Sequence, residues 1–272
     1  MCSQRRCHLN QPLNQPLIHP TAIIHPGAQV ADGVGIGAYS MIGEGVSVGR
    51  GTRIGPHVVV EGPTRIGEDN QIFQFASIGA IPQDKKYAGE PTELVIGDRN
   101  VIRECCTLNR GTVQDKGKTV VGNDNWIMAY VHIAHDCVIG DHTIFANSAT
   151  LAGHVEIRDY AILGGFTLVH QFCVVGEYAF TGMGSAVGKD VPPYTMANGA
   201  PAIPRGINVE GLRRNGFDAD AIHRIRESYR LLYRQQASLK EALAHIEAEY
   251  GEFADVQRLL AFCQASQRGL IR

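Results

Sequence analysis

An aliphatic residue returns at every sixth position along most of this chain. The register runs from Ile18 to Ile78, resumes in the same phase from Ile96 to Leu108 and, after a shift of one residue, continues from Val121 to Val187. Only Phe145 and Thr181 depart from the aliphatic pattern. An amphipathic α-helix would need apolar residues every 3.6 positions, which this period does not supply. The chain must therefore fold into short elements of six residues each.

Six-residue repeats of this kind are typical of a parallel β-helix, in which short strands alternate with tight corners. Three six-residue sides make one coil, so residues eighteen positions apart should stack directly above one another. The repeats would form roughly nine coils, about 40 Å tall at a strand spacing of about 4.8 Å. The predicted fold class is mainly β, a parallel β-helix followed by a small α-helical C-terminal region.

The interruptions of the period define the predicted domains. Residues 1–17 read as a disordered leader and residues 18–190 as the β-helix. Residues 80–94 and 109–120 leave the register, and long insertions of this kind are often functional surface loops. Prolines follow the last repeat, and residues 191–272 have a helical composition.

Three helices are predicted in the C-terminal region. Asp218 is placed to cap a helix that ends near Gln235, and Ser238 with Glu241 forms a capping box for the next helix. A last helix spans about 253–267. We expect these helices to pack against the β-helix or against a neighbouring subunit.

Composition narrows the function classes. The formal charge is −2 with 19% charged residues, which predicts neither nucleic-acid binding nor membrane binding. No apolar run approaches the length of a membrane span, and the leader lacks the apolar centre of a secretory signal. The seven cysteines form an odd set without a C-x-x-C pair, which favours a reducing cytoplasm.

The flat sides of a β-helix associate most simply as a three-fold ring, so we expect a homotrimer.

Polar residues concentrate in one part of the register. Eighteen positions beyond His135 lies Gly153, and eighteen beyond Gly153 lies Gln171, while Asp136 stacks beneath His154. Spacing alone therefore predicts one polar cluster at neighbouring corners of consecutive coils, formed by His132, His135, Asp136, Gly153, His154, His170 and Gln171.

This cluster contains the parts of an acyl-transfer site. A neutral histidine at position 135 is a base poised near physiological pH, and Asp136 could orient it. Gly153 offers a main-chain N–H that no side chain shields, the kind of donor that stabilises an oxyanion. Because no serine or cysteine nucleophile is evident, the acceptor would attack directly. Stacked histidines could alternatively bind zinc, and single histidines could simply be packing residues.

Ordered motifs along the chain identify a resemblance. HIAHDC, TLAGHV, HQFC, QFASIG, QDKKYAGEPT, NRGTVQ, NVEGLRRNGF and the terminal RGLIR resemble the UDP-N-acetylglucosamine acyltransferase family, from about residue 18 to the C-terminus. The resemblance implies a left-handed β-helix and a homotrimer with active sites between subunits. It also implies transfer of an (R)-3-hydroxyacyl group from acyl carrier protein to the 3-hydroxyl of UDP-N-acetylglucosamine, in the first step of lipid A synthesis. No metal or dissociable cofactor is implied beyond the carrier's phosphopantetheine.

The resemblance also implies residue roles. The general base falls on His135 beside Asp136, and the oxyanion amide on Gly153. Met183 falls where family members set acyl length, and its bulk predicts a chain of about ten carbons. The implied substrate contacts are Asp84, Lys86, His132, His154, His170, Gln171, Asn208, Glu210 and Arg214.

One departure keeps alternatives open. Asn109 stands where the family's T-I-H-R-G-T motif has histidine, which leaves N-acylation of a 3-amino sugar nucleotide as an alternative. Two further alternatives are a zinc-dependent hydratase of the β-helical carbonic anhydrase kind and a scaffold that only binds acyl carrier protein. The later N-acyltransferase of the same pathway carries an additional N-terminal domain, for which seventeen leader residues leave no room.

Overall fold

The computed structural model of the protein describes residues 17–233 and 238–272, and its larger part is a parallel β-helix. The predicted leader therefore lies outside the described residues except for Leu17, as does Gln235. The helix is left-handed, so the predicted fold class is confirmed.

Within the described residues, three sheets form the sides of the β-helix, and their strands are parallel except for the last strand of the third sheet. Sheet 1 contains β1 (Ile23–Ile24), β4 (Met41–Ile42), β7 (Val59–Val60), β10 (Ser77–Ala80), β13 (Thr107–Asn109), β16 (His132–Ile133), β19 (Thr150–Leu151), β22 (Leu168–Val169) and β25 (Ala186–Val187). Sheet 2 contains β2 (Gln29–Val30), β5 (Val46–Val48), β8 (Thr64–Ile66), β11 (Glu93–Ile96), β14 (Lys118–Val121), β17 (Val138–Ile139), β20 (Glu156–Ile157) and β23 (Val174–Val175). Sheet 3 contains β3 (Gly35–Ile36), β6 (Arg53–Ile54), β9 (Gln71–Ile72), β12 (Val101–Ile102), β15 (Trp126–Ile127), β18 (Ile144–Phe145), β21 (Ile162–Leu163), β24 (Phe180–Thr181), β26 (Thr195–Asn198) and β27 (Ile203–Ile207).

The register explains where both insertions leave the coil. In regular coils, residues eighteen apart pair, as Ile133 does with Leu151. Around the insertions, Ile78 pairs with Leu108 and Leu108 pairs with Ile133, so these coils are longer. The first loop joins β10 to β11 and the second joins β13 to β14. Both loops therefore project from the corner between sheets 1 and 2, which we call corner 1–2.

The hexad residues form the core of the β-helix. Every register residue from Ile36 to Val187 is buried, whereas those of the first coil are more exposed because no coil covers them. Thr181 is tolerated inside because its hydroxyl is 2.9 Å from that of Thr167. Gly122 is needed for a different reason, since a Cβ there would lie 2.6 Å from the carbonyl oxygen of Gly140 in the next coil.

The β-helix continues beyond residue 190, where the sequence places the start of the helical region. After the proline pair, β26 adds one more parallel strand to β24, and β27 then returns antiparallel. The C-terminal segment also folds back, because Asp190 N donates to Gly269 O and Ile271 N donates to Asp190 O. Ile271 is buried in the core of the β-helix and covers its end.

In the part of the chain that the structure describes, four helices follow the strands: α1 (Val209–Arg214), α2 (Ala219–Tyr233), α3 (Leu239–Tyr250) and α4 (Ala254–Ala265). Asp218 accepts a hydrogen bond of 2.7 Å from Ala221 N at the start of α2, and Ser238 and Glu241 form the expected capping box on α3. The six-residue α1 was not predicted, because one and a half turns leave no periodic signal. The helices pack around a second core that includes Tyr194.

Two compositional features of the described residues concern membrane spans and cysteines. None of the helices within 17–233 and 238–272 is both long enough and apolar enough to cross a bilayer. The five cysteines of these ranges carry free thiols, and burial raises the pKa of Cys137 to about 12.

Removing a register side chain should destabilise the coil. Ile133 is fully buried, so Ile133→Ala should cost about 2–5 kcal/mol by leaving a cavity. The midpoint of thermal unfolding, followed by circular dichroism, should fall clearly below that of the unsubstituted protein. Ile81→Ala is the control, because that side chain lies in the first loop and is 55% exposed. Equal shifts for the two variants would contradict the inward register.

Candidate active site

A cleft of about 750 Å³ opens at corner 1–2, where both loops leave the β-helix and α4 packs nearby. This volume is in the range of small-molecule sites. Its lining carries charges of both signs and one exposed aromatic ring: Asp84, Lys86, Thr112, Gln114, Asp115, Lys116, His154, Glu156, Arg158, Phe172, Val174, Asp190, Phe262, Ala265, Ser266 and Gln267.

His135 and Asp136 form a hydrogen-bonded pair at this corner. The Nδ1 atom of His135 is 2.9 Å from Oδ2 of Asp136. Because a carboxylate only accepts hydrogen bonds, Nδ1 carries the proton in the neutral ring and the lone pair lies on Nε2. The His135 side chain is 14% exposed, so the ring is mostly sheltered but not sealed from solvent.

Gly153 lies against the imidazole of His135, one coil further along. A Cβ at this position would lie 2.5 Å from Cε1 and 2.7 Å from Nε2 of His135, so only glycine permits this approach. The Gly153 N–H donates to no acceptor within residues 17–233 and 238–272. The eighteen-residue spacing predicted this arrangement, in which a main-chain N–H without an acceptor lies beside an imidazole.

Asp136 is fully buried and held by several donors. Its carboxylate accepts hydrogen bonds from Thr112 N at 3.0 Å and from Thr112 Oγ1 at 2.6 Å. Its own N–H donates to Thr119 Oγ1 at 2.8 Å. Burial by itself would raise the pKa of Asp136, but the hydrogen bonds from His135 and Thr112 outweigh it, and the pKa lies below its usual value.

His154 sits beside this pair and engages the second loop. Its ring meets that of His135 edge-on with centroids 5.0 Å apart, and it stacks on Phe172 at 4.4 Å. Its Nδ1 atom is 2.8 Å from Oδ2 of Asp115. One ligand atom each from His135, Asp136 and His154 lies within 4.8 Å of the others, but both Nδ1 atoms already face carboxylates at hydrogen-bonding distance.

The other predicted residues at this corner are less tightly connected. His132 Nδ1 is 2.7 Å from Thr107 Oγ1, and burial, followed by the nearby His135, lowers the pKa of His132. Gln171 is exposed at the corner, and His170 Nδ1 lies 3.3 Å from Arg268 Nη2. In the first loop, Asp84 Oδ1 accepts a hydrogen bond from Lys86 N, and both residues line the cleft.

Four predicted residues lie elsewhere in this chain. Asn208 caps α1 and donates to the carbonyl of Tyr178, at the corner between sheets 2 and 3, while the exposed Glu210 pairs with Arg213. Arg214 ends the same short helix. Met183 is 79% exposed and follows β24, at the corner between sheets 3 and 1. The fold of one chain thus does not bring these four residues to His135.

Sequence reasoning missed several residues of the cleft. Phe172 could have been found, because it lies eighteen positions beyond His154 and occupies the same corner position. Thr112 and Asp115 could not, since they belong to an inserted loop to which the eighteen-residue rule does not apply.

Comparisons with known proteins agree with this architecture. The family described as Udp N-acetylglucosamine O-acyltransferase, Domain 2, matches residues 190–271, and the bacterial transferase hexapeptide family matches residues 27–62 and 118–153. The chain is 60% identical over 255 residues to the acyl-[acyl-carrier-protein]–UDP-N-acetylglucosamine O-acyltransferase of Thiobacillus denitrificans, covering 94% of this chain and 99% of that protein.

Two solved structures of similar proteins match nearly the whole chain. The UDP-N-acetylglucosamine acyltransferase of Francisella novicida superposes with a TM-score of 0.92 at 44% identity, covering 94% of both chains. The corresponding Acinetobacter baumannii structure gives a TM-score of 0.92 at 48% identity, covering 94% of this chain and 100% of that one. The chain therefore belongs to the acyl-[acyl-carrier-protein]–UDP-N-acetylglucosamine O-acyltransferase family.

Proposed function

We propose that this protein transfers an (R)-3-hydroxyacyl group from acyl carrier protein to the 3-hydroxyl of UDP-N-acetylglucosamine, the first step of lipid A synthesis. The single observation that carries the proposal is the contact of the His135 imidazole with both the buried carboxylate of Asp136 and the glycine at 153. The names of the relatives support acyl transfer to oxygen on this sugar nucleotide.

The proposed reaction is a direct displacement. Nε2 of His135 takes the proton of the sugar hydroxyl as its oxygen attacks the thioester carbonyl carbon. The Gly153 N–H donates to the oxyanion that develops there. Collapse of this intermediate breaks the carbon–sulfur bond, and the departing thiolate takes the proton from the imidazolium. Asp136 keeps its negative charge and stabilises the imidazolium while it exists.

The active unit in this proposal is a homotrimer with sites between subunits. Met183 and the α1 residues lie at corners other than that of His135, so a neighbouring chain would have to bring them to the cleft. An exposed apolar stripe covers sheet 1 and the corner between sheets 3 and 1, and clustered exposed apolar side chains of this kind are typical of protein–protein interfaces. Its side chains are Ile23, Tyr39, Met41, Val59, Phe75, Tyr130, Phe166, Leu168 and Met183.

The substrate contacts are proposed for these two groups of residues. Asp84, Lys86, His132, His154, His170 and Gln171 would act from one subunit, and Asn208, Glu210 and Arg214 would hold the nucleotide end. Asn109 does not favour N-acylation, because its amide is buried and donates to Ile81 O at 2.9 Å. The proposed location is the cytoplasm, where acyl carrier protein would meet the enzyme.

The proposed chemistry uses no metal or dissociable cofactor. A catalytic zinc site has three protein ligands. Among the described residues, the group that could hold a metal consists of His135, Asp136 and His154. The Asp136 carboxylate already accepts hydrogen bonds from Thr112 and faces Nδ1 of His135, which leaves two histidine nitrogens as uncommitted ligands. This shortage of a third ligand favours a base held by Asp136 over the zinc-dependent hydratase.

The reaction itself can be tested with the purified protein. Incubation with UDP-N-acetylglucosamine and (R)-3-hydroxyacyl carriers should yield the 3-O-acyl product by mass spectrometry, with activity retained in EDTA. His135→Ala should lower kcat about 10²–10⁴-fold, because the general base is removed. Gel filtration should give the same trimeric size for both proteins. Near-normal turnover by the variant would refute the role of His135.

A methyl group at position 153 should displace the base. In Gly153→Ala, the new Cβ cannot coexist with the present position of the His135 ring. Misplacement by about 1 Å can cost about 100-fold in kcat, and we expect a loss of that order. Gly165→Ala is the matched control, because a Cβ there would only reach the Asn147 carbonyl oxygen at 3.4 Å. Equal activity of the two variants would contradict the proposed site.

We also propose that Met183 limits the acyl chain to about ten carbons. Its exposed side chain could close the end of a groove between subunits, and glycine there would lengthen the groove. Met183→Gly should therefore shift the preference towards fourteen-carbon carriers in a competition assay. Met183→Leu, which keeps the bulk, should retain the shorter preference. A wild-type preference for the long chain would reject this proposal.

A further inference from the structure

The second loop, residues 110–117 between β13 and β14, contacts the histidine–carboxylate pair directly. Thr112 is the closest of its residues and is almost fully buried. Its main-chain N–H and its hydroxyl both donate to the Asp136 carboxylate. The oxygen that accepts the hydroxyl, Oδ2, is the same atom that faces Nδ1 of His135. The loop and the imidazole thus share one acceptor.

The segment Asn109–Thr112 holds Thr112 against the Asp136 carboxylate, and the three residues before Thr112 are each fixed by the surrounding structure. Asn109 donates to Ile81 O at the base of the first loop, and Arg110 donates to the carbonyl of Gly62. Gly111 lets the second loop close across its own base, since a Cβ there would lie 2.2 Å from Lys118 N. The next residue is Thr112, so this anchored segment carries the threonine to the carboxylate.

We propose that Thr112 is a positioning residue for the acyl transfer, which holds the Asp136 carboxylate so that it aims Nε2 of His135 at the acceptor hydroxyl. Two donors from one residue leave the carboxylate little freedom to rotate. With Oδ2 fixed between Thr112 and His135, the orientation of the imidazole ring is fixed as well. This inference rests on the proposed function, because it assigns the threonine a part in the same reaction.

Other charged groups surround the carboxylate and must be considered in any pH dependence. His135 faces it from the same coil, and His154 Nδ1 lies 4.0 Å from Oδ2 in the next coil. From the second loop, Lys116 Nζ is 3.5 Å from the Asp136 carbonyl, and Asp115 faces His154. None of these groups takes the place of the Thr112 hydroxyl, which is the shortest contact to the carboxylate.

The chain offers a matched control in Thr119. Thr119 is also fully buried and also contacts Asp136, but its hydroxyl accepts from the main-chain N–H and does not touch the carboxylate. Thr112→Val and Thr119→Val therefore remove the same group from the same neighbour. Only the first of these substitutions removes a donor from the carboxylate oxygen that faces His135.

The test is the pH dependence of kcat and kcat/KM for the whole protein with sugar nucleotide and hydroxyacyl carrier. Thr112→Val should lower kcat about tenfold or more with little change in KM, because a general base contributes to the transition state and not to binding. Without this donor, the His135–Asp136 pair should hold its proton to higher pH, so the acidic limb of the plot of kcat against pH should move to higher pH. Thr112→Ser should restore both the value of kcat and the position of this acidic limb.

The outcomes separate the two proposals. An inactive wild-type protein would refute the proposed function. An active wild type with an unchanged profile in Thr112→Val, or with the same shift in Thr119→Val, would refute the positioning role. If Thr112→Val fails to fold by circular dichroism and gel filtration, Thr112→Ala and Thr112→Ser carry the same comparison. A loss of kcat in Thr112→Ser equal to that in Thr112→Ala would also refute the role.

Discussion

The vertical pairing of successive coils is the interaction on which the structure depends. Each strand is only two to four residues long in most coils, so no strand could persist without the strands above and below it. Main-chain hydrogen bonds join the coils, and the inward aliphatic column, such as Ile133 beneath Leu151, excludes water between them. Because the coils are rigid and regular, a side chain at one corner lies at a fixed distance from its counterpart in the next coil.

Part of the active site follows from this regular spacing, and part is contributed by the inserted loops. His135 and Gly153 meet because they are eighteen residues apart, and His154 and Phe172 stack for the same reason. The second loop adds contacts that a regular β-helix lacks, since it brings Thr112 to Asp136 and Asp115 to His154. Both loops leave at corner 1–2, so residues of both insertions line one cleft together with His154, beside the His135–Asp136 pair.

Burial and hydrogen bonding act in opposite directions on the central carboxylate. Asp136 has no exposed surface, and an isolated carboxylate there would hold a proton. Donors from His135 and Thr112 keep its pKa below the usual value, so the buried group stays ionised. This balance explains how the second loop can dock on a carboxylate at the corner without neutralising it. It also explains how a fully buried group can orient a partly exposed base.

The period of six settled the fold class, the number of coils and the meeting of His135 with Gly153, because a repeat converts sequence spacing directly into distance. The capping box at Ser238 was equally readable, since it depends on residues three positions apart. The contacts of Thr112, the extra strand β26 and the return of Ile271 to the core were not readable. Each depends on where a segment without the repeat folds back, and that position is decided by packing between residues distant in the chain.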